Sequence, residues 1–291
     1  MSLAEFAGPE QVEVAAHAAL IGAALMSRGL PVLEVAPGVG LLVVGRRIRP
    51  FVFVASEKVR AEPAELRSLE EFPEAWEIVR AALGVEPDWL SDTVGFALPS
   101  PEPHLSASDP ITSPAIGTVG ASVSWQRGSG FLTAGHVAPN VGASVFSGRD
   151  RLGTVQFAND PAGGGATIQA DVAVVQLDAN VSFSPKIGPI GQASPGANVK
   201  IRNAQKSTGV IMGFASFVYW PKVGGTYGDT YFTTDCITVG GDSGSAVLLD
   251  DGKLIGTVVG GVPKVATFIQ DVRYQLARAA PSSGGLAGLT V

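Results

Sequence analysis

The sequence predicts a mostly β domain that follows a small module of mixed helices and strands. Three observations support this prediction. The 291 residues include 37 Gly and 20 Pro, and this richness favours many turns between short strands. Short β-type runs fill the chain after residue 115, whereas the first 98 residues contain both helical and strand-like patterns. Prolines crowd residues 99–114, which predicts an extended linker between the two regions.

The module at residues 1–98 is expected to contain two helices and two strands. Its apolar segment 14–26 is similar to the core of a signal peptide, but acidic residues precede it where a secretory signal needs basic ones. We therefore predict an ordinary helix that begins after Gly8-Pro9 and ends at Gly29. Strands are expected at 40–44 and 51–55, and a second helix near 73–83. These apolar runs suggest that the module has a core of its own.

Residues 115–291 are predicted to form the β domain. Its strand-like runs are short and are punctuated by turns: 118–125, 130–133, 154–157, 172–177, 199–202, 211–219, 231–234, 245–249 and 254–259. Such a pattern indicates a sandwich or a barrel. In the closing segment 267–279, Phe268, Val272, Leu276 and Ala279 follow one another at helical spacing. We expect this whole segment to be a C-terminal helix.

Composition and charge argue against several function classes. A net charge of −6 is opposite to what phosphate recognition requires, so no nucleic acid is expected as a partner. No apolar run reaches membrane-spanning length, so no membrane association is expected. Cys236 is the single cysteine and the chain has three histidines, so neither a disulfide nor a metal cluster is predicted, and no cofactor is expected. The missing signal and disulfides favour a cytoplasmic location.

Three segments of the β domain place a polar residue at the edge of an apolar strand. Segment 128–136 reads Gly-Ser-Gly-Phe-Leu-Thr-Ala-Gly-His and delivers His136 into a loop. Segment 171–177 reads Asp-Val-Ala-Val-Val-Gln-Leu and begins with Asp171. Segment 240–247 reads Gly-Gly-Asp-Ser-Gly-Ser-Ala-Val and holds Ser243 among small residues. An imidazole, a carboxylate and a hydroxyl are the groups that nucleophilic catalysis by serine requires.

These segments resemble the signature blocks of the trypsin- and chymotrypsin-like serine peptidases, including the bacterial members. The blocks are Thr-Ala-x-His, Asp-x-Ala-x-x-x-Leu and Gly-Asp-Ser-Gly, and they occur here in the family's order. The resemblance covers residues 115–280 and implies an all-β, chymotrypsin-like double β-barrel with a C-terminal helix. It also implies a catalytic triad of His136, Asp171 and Ser243. The N–H groups of Gly241 and Ser243 would form the oxyanion hole.

Other carboxylates and another serine are alternatives to Asp171 and Ser243. Asp160 and Asp178 lie near Asp171 in sequence, but neither is followed directly by an apolar strand. Ser245 is two residues beyond Ser243 and lacks the preceding Gly-Asp. Asp242 is expected to be structural and not catalytic, because in many relatives the aspartate at this position pairs with a cation and shapes the oxyanion loop.

Activation by cleavage is a further expectation, since in some relatives the cation that meets this aspartate is a freed N-terminal amine. Ile116-Gly117 is a weak candidate for such an activation site. An intact chain would then be inactive until it is cut there.

The resemblance also assigns the specificity pocket. Ile237 would lie at the base of the pocket that receives the side chain before the scissile bond. Val259, Gly260 and Gly261 would form one wall and offer backbone groups to an extended substrate. A neutral, apolar side chain is therefore expected at the cleavage site.

The sequence predicts a serine endopeptidase that acts on a protein or peptide substrate. Its N-terminal module is expected to regulate it, recognise substrate or bind a regulatory partner. The alternative is a protease-like module whose triad is idle and whose groove holds peptides by strand addition.

Overall fold

The computed structural model describes residues 2–55, 66–98, 111–112, 115–179, 181, 187–280, 286 and 288–291. The expected linker at 99–114, including His104, lies almost wholly outside these residues. In the described residues the helices α1–α5 span, in chain order, Leu3–Ala7, Val12–Arg28, Leu30–Leu33, Pro73–Leu83 and Val272–Ala279. No helix among them combines the length and apolar character needed to cross a membrane.

The strands β1–β18 are short in most cases and alternate with turns, as the sequence predicts. In chain order they span Gly38–Val44, Arg47–Ala55, Leu66–Ser68, Val94–Leu98, Ile111–Thr112, Ile116–Gly117, Ser122–Trp125, Gly128–Thr133, Ser144–Ser147, Asp150–Asn159, Ile168–Gln169, Val172–Leu177, Asn198–Ile201, Thr208–Trp220, Gly225–Thr233, Ala246–Leu249, Leu254–Val262 and Ala266–Asp271. The helices predicted near 14–26 and 73–83 correspond to α2 and α4.

The first half of the β domain is a seven-stranded sheet in the order β6-β5-β9-β10-β12-β8-β7. Its central strands β10, β12 and β8 pair in antiparallel fashion. Phe131, Val145, Val155 and Val175 are buried together on the inner side of this sheet. The sheet forms the first barrel of the chymotrypsin-like fold.

The second barrel is a ring of strands in the order β15-β18-β17-β16-β13-β14, closed by pairing of β14 with β15. A third cluster of buried side chains, which includes Val172, Leu254 and Val272, joins the two barrels. The predicted fold class, an all-β double barrel that follows an α+β module, is therefore confirmed.

The N-terminal module continues the sheet of the second barrel. Strand β14 is 13 residues long, and its outer part pairs with β1, which in turn pairs with β2. Gly40 makes this pairing possible, because a Cβ atom there would lie 2.6 Å from Cα of Ala215 on β14. The close approach explains why glycine occupies this strand position.

The core of the module is shared with the barrel. Phe53 on β2 contacts Phe232 and Phe268, with ring centroids 5.5 and 6.0 Å apart respectively. Phe6 on α1 stacks on Phe214 of β14 at 5.8 Å. The expectation that the module has a core of its own is therefore wrong. The division into residues 1–98, 99–114 and 115–291 stays a prediction.

The C-terminal helix is shorter than predicted. Residues Ala266–Asp271 form strand β18, which pairs with β15 and β17, and helix α5 begins only at Val272. Asp271 caps the helix, since its side chain accepts a hydrogen bond from the N–H of Arg273. The spacing of Phe268 and Val272 that predicted a longer helix arises from residues on two different elements.

Candidate active site

Three loops meet where the two barrels join, and each carries one residue of the expected triad. His136 lies in the turn after β8, Asp171 directly precedes β12, and Ser243 lies in the turn before β16. The N–H of Thr118 donates to the carbonyl of Ser243 at 2.8 Å, and the hydroxyl of Thr133, at the end of β8, donates to the carbonyl of Thr118 at 3.0 Å. The serine turn is thereby attached to the strand that leads to His136.

His136 and Asp171 form a two-point contact. The backbone N–H of His136 donates to Oδ1 of Asp171 at 2.9 Å, and its Nδ1 lies 2.6 Å from Oδ2 of the same carboxylate. Gly135 allows this approach, since a Cβ atom there would lie 2.9 Å from the backbone nitrogen of Val172. The carboxylate thereby fixes both the position and the orientation of the imidazole.

The other carboxylates near Asp171 in sequence have different partners. Oδ1 of Asp160 accepts a hydrogen bond from the N–H of Ala162 at 3.0 Å. Asp178 forms an ion pair with Arg151, with the nitrogen and oxygen 3.4 Å apart. The geometry therefore places Asp171 against the imidazole, as the sequence pattern predicts.

The environment of His136 favours its protonated form. Burial alone would lower the pKa of His136, but the charge of Asp171 and its hydrogen bond to the ring outweigh burial, and the charge of Asp160 adds to them. The pKa of His136 is therefore raised above its ordinary value of 6.5. Such an imidazole is a stronger base than a free histidine side chain.

Ser243 and the free side of the imidazole are both buried. Ser243 is 0% exposed and the side chain of His136 is 8% exposed. Neither Oγ of Ser243 nor Nε2 of His136 has a hydrogen-bond partner among the described residues. A buried polar atom without a hydrogen-bond partner destabilises the folded state. Two such atoms in adjoining loops are therefore typical of a functional site. The hydroxyl of Ser245 is likewise buried and unpaired among those residues.

The turn before Ser243 has the backbone shape expected of an anion-binding loop. Gly241 has a φ of 92°, a conformation that favours glycine. Its carbonyl accepts a hydrogen bond from the hydroxyl of Thr118 at 2.8 Å. No group among the described residues accepts a hydrogen bond from the N–H of Gly241 or of Ser243. Both donors are therefore available to a negatively charged oxygen.

Asp242 is buried inside this turn, and among the described residues its partners carry no charge. Its Oδ2 accepts hydrogen bonds from the side chain of Asn203 and from the backbone N–H of Val239, each at 2.9 Å. Ile116, the weak candidate for an activation site, pairs with Thr112 within the β5–β6 ladder. Its backbone nitrogen is joined to Ala115 by a peptide bond and is not a free N-terminus. The arrangement of Asp242 therefore does not depend on a new N-terminus.

Comparison with known proteins finds one family whose model matches part of the chain. Residues 118–256 match the family described as the trypsin-like peptidase domain. This match covers just under half of the chain, so it shows a likeness of that segment to the family. No curated protein sequence matches the chain.

Solved structures support the same fold. Nocardiopsis protease is 22% identical with a TM-score of 0.51, and the match covers 64% of this chain and 97% of that protein. Cellulomonas bogoriensis chymotrypsin is 24% identical with a TM-score of 0.47, covering 60% of this chain and 94% of that one. Thermobifida fusca protease A is 23% identical with a TM-score of 0.49 and the same coverage. At these identities the likeness is one of fold, and the fold argument rests on the Nocardiopsis structure.

The residues expected to form the specificity pocket lie in two places. Val259, Gly260 and Gly261 are buried on β17. The side chain of Ile237 instead packs against Gly209 and lines a surface cleft of about 390 Å³ between β13, β14 and the segment after β15. The side chain of Ile237 packs against one core cluster and that of Val259 belongs to another, so the structure does not bring the two side chains together. The hydroxyl of Thr238, one residue on, lies 2.8 Å from that of Thr267 on β18.

Three residues that support the site were missed by the sequence analysis. Asn203 binds Asp242, while Gln270 and Gln275 bind the backbone of Asp171. Both glutamines lie in the segment that was predicted to be one helix, so their shared target was not recognisable. The sequence offered one signal for their role: two polar amide side chains lie in a segment whose apolar residues have helical spacing. The described residues contain no cluster of His, Cys, Asp and Glu suited to a metal ion.

Proposed function

We propose that this protein is a serine endopeptidase in which His136, Asp171 and Ser243 act as one catalytic unit. The proposal is supported chiefly by one observation: Nδ1 of His136 is held 2.6 Å from Asp171, while its Nε2 and Oγ of Ser243 are buried in adjoining loops without partners among the described residues. A hydroxyl is a weak nucleophile unless a base removes its proton, and this imidazole is oriented and made more basic for that task.

In the first half of the proposed reaction, Oγ of Ser243 attacks the carbonyl carbon of the scissile peptide bond. The hydroxyl proton passes to Nε2 of His136 as the new C–O bond forms. The carbonyl oxygen becomes an oxyanion, which accepts hydrogen bonds from the N–H groups of Gly241 and Ser243. The protonated imidazole then gives its proton to the amine, the C–N bond breaks, and an ester of Ser243 remains.

In the second half, water attacks this ester and passes a proton to Nε2 of His136. The resulting oxyanion is held by the same two N–H groups. When the C–O bond to Ser243 breaks, the proton on His136 returns to Oγ and the carboxylic acid product leaves. Throughout, the carboxylate of Asp171 stabilises the imidazolium without itself taking the proton.

We further propose that the substrate is a protein or peptide and that the N-terminal module influences its binding. Phe53 of the module packs on Phe268 of β18, the strand next to β17. The wall expected to bind substrate, Val259 to Gly261, lies on β17. A change in the position of the module would therefore alter the support of that wall. Because Cys236 is the single cysteine, no disulfide can form within the chain, and we also propose a cytoplasmic location.

Labelling with a fluorophosphonate probe tests the proposal. The probe forms a covalent bond with an activated serine, and mass spectrometry of peptide digests locates the adduct. We expect an adduct on Ser243 in the wild type, none in Ser243→Ala, and normal labelling in Ser245→Ala, which changes the neighbouring buried hydroxyl. Absence of labelling in the wild type would contradict the proposal and favour a peptide-binding module with an idle triad.

A further inference from the structure

Gln270 holds the backbone N–H of Asp171 with a side chain whose orientation is fixed. Its Oε1 accepts a hydrogen bond from that N–H at 2.7 Å. Its Nε2 donates to the carbonyl oxygens of Gln169 and Gly228, at 3.2 and 2.9 Å. Because both carbonyls require a donor, the amide cannot be flipped without losing all three bonds. Gln270 is 0% exposed, so water cannot replace these contacts.

Gln275 holds the other side of the same residue. Its Nε2 donates to the carbonyl of Asp171 at 3.0 Å and to the hydroxyl of Thr257 at 2.8 Å. Gln275 is also 0% exposed. It lies on α5, whereas Gln270 lies on β18, so a strand of the second barrel and the helix that follows it both contact one residue of the first barrel.

The two glutamine contacts matter because the side-chain hydrogen bonds of Asp171 go to His136, the residue that Asp171 orients. Its two carboxylate oxygens bind the backbone and the ring of His136. The position of the carboxylate relative to the second barrel, which carries Ser243, is therefore determined by its backbone. The N–H and the carbonyl of that backbone are bound by Gln270 and Gln275.

We propose that Gln270 and Gln275 are positioning residues that clamp the backbone of Asp171 to the second barrel and so align His136 with Ser243. The proposal rests on the function proposed above. Neither glutamine contacts a reacting atom. Their role is to keep the carboxylate, and through it the imidazole, at a fixed place relative to the serine turn, and misplacement by about 1 Å can cost about 100-fold in rate.

The test uses the full chain with Gln270→Met and Gln275→Met, which keep the side-chain length but remove the polar contacts. Thr230→Val is the matched control, because the buried Thr230 hydroxyl donates to the carbonyl of Gly228, which also accepts from Gln270, without touching Asp171. If a Met variant fails to fold, Gln275→Asn keeps the amide and withdraws it by one methylene. Two quantities are measured: the fluorophosphonate labelling rate across pH, and the titration of His136 by NMR.

We expect the glutamine variants to label about 10- to 100-fold more slowly. We also expect His136 to titrate at a lower pH in them, because the carboxylate that raises its pKa is displaced. Thr230→Val should lower thermal stability and leave both readouts unchanged. Folded glutamine variants with the labelling rate and the His136 titration of the wild type would overturn the clamp and leave the proposed function intact. If the wild type does not label, the proposed function fails, and the His136 titration still decides the clamp.

Discussion

Asn203 donates a side-chain N–H to Oδ2 of Asp242 at 2.9 Å and so pairs the buried carboxylate in the turn that holds Ser243. In the described residues this carboxylate is hydrogen-bonded without a freed amine. We therefore expect the intact, uncleaved chain to label with a fluorophosphonate, as judged by the mass of the whole protein. Labelling that appears only after cleavage before Ile116 would contradict this expectation.

Replacement of Asn203 by Leu should disturb the serine turn. The change removes a hydrogen bond to a buried charge, a loss of about 1–3 kcal/mol in the free energy of unfolding, and it should slow labelling of Ser243. Ser207→Ala is the control, since the amide of Asn203 also donates to the Ser207 hydroxyl at 3.0 Å. Equal labelling rates in Asn203→Leu and Ser207→Ala would show that the Asp242 contact is unimportant.

The pH dependence of labelling should report the raised pKa of His136. The imidazole must be neutral to accept the proton of Ser243, so the rate should rise with pH through a midpoint above 6.5, the ordinary value for histidine. Asp171→Asn should lower this midpoint and the maximal rate, because it removes the main charge that raises the pKa. Asp160→Asn should lower the midpoint and leave the His136–Asp171 hydrogen bond in place. A wild-type midpoint at or below the ordinary value would contradict the electrostatic account.

The module and the second barrel should unfold together. Phe53→Ala removes a ring that packs on Phe232 and Phe268, and such a change typically costs about 3–5 kcal/mol in the free energy of unfolding. Val85→Ala is the control within the module, because Val85 is 67% exposed and should change stability by less than about 0.5 kcal/mol. Denaturant unfolding followed by tryptophan fluorescence and far-UV circular dichroism should give coincident transitions. Separate transitions, with only one moved by Phe53→Ala, would contradict the shared core.

Cleavage should occur after neutral side chains. Segment 257–262 on β17, which includes the wall expected to bind substrate, contains no charged residue. A substrate with Lys or Arg at the cleavage site would bury its charge without a partner, which is unfavourable. A library of peptides that differ at this position measures the preference. Strict cleavage after basic residues would contradict this assignment of the pocket.

The sequence predicted the local elements well where the residues themselves determine them. Helix α4 has the predicted bounds because Pro73 begins it and Gly84, with a φ of 72°, ends it. Strand β12 follows from an apolar run directly after Asp171. The contact between His136 and Asp171 was expected from the resemblance to the peptidase family.

The sequence failed where contacts between distant segments decide the outcome. Residues 267–271 have helical spacing, yet they form a strand because β15 and β17 offer backbone partners on both sides. The pairing of β1 with β14 depends on the missing side chain of Gly40, which no local pattern reveals. Asn203, Gln270 and Gln275 act through targets far away in sequence, so their roles became visible only in three dimensions.

The central claim is that His136, Asp171 and Ser243 act as one unit, and combined mutants measure this most directly. The measurement is kcat for peptide hydrolysis in His136→Ala, Asp171→Asn, Ser243→Ala and the triple variant. We predict that each single change lowers kcat by about 10⁴- to 10⁶-fold and that the triple variant is no worse than Ser243→Ala alone. Losses that multiply across the three positions, or hydrolysis that survives Ser243→Ala, would contradict the account.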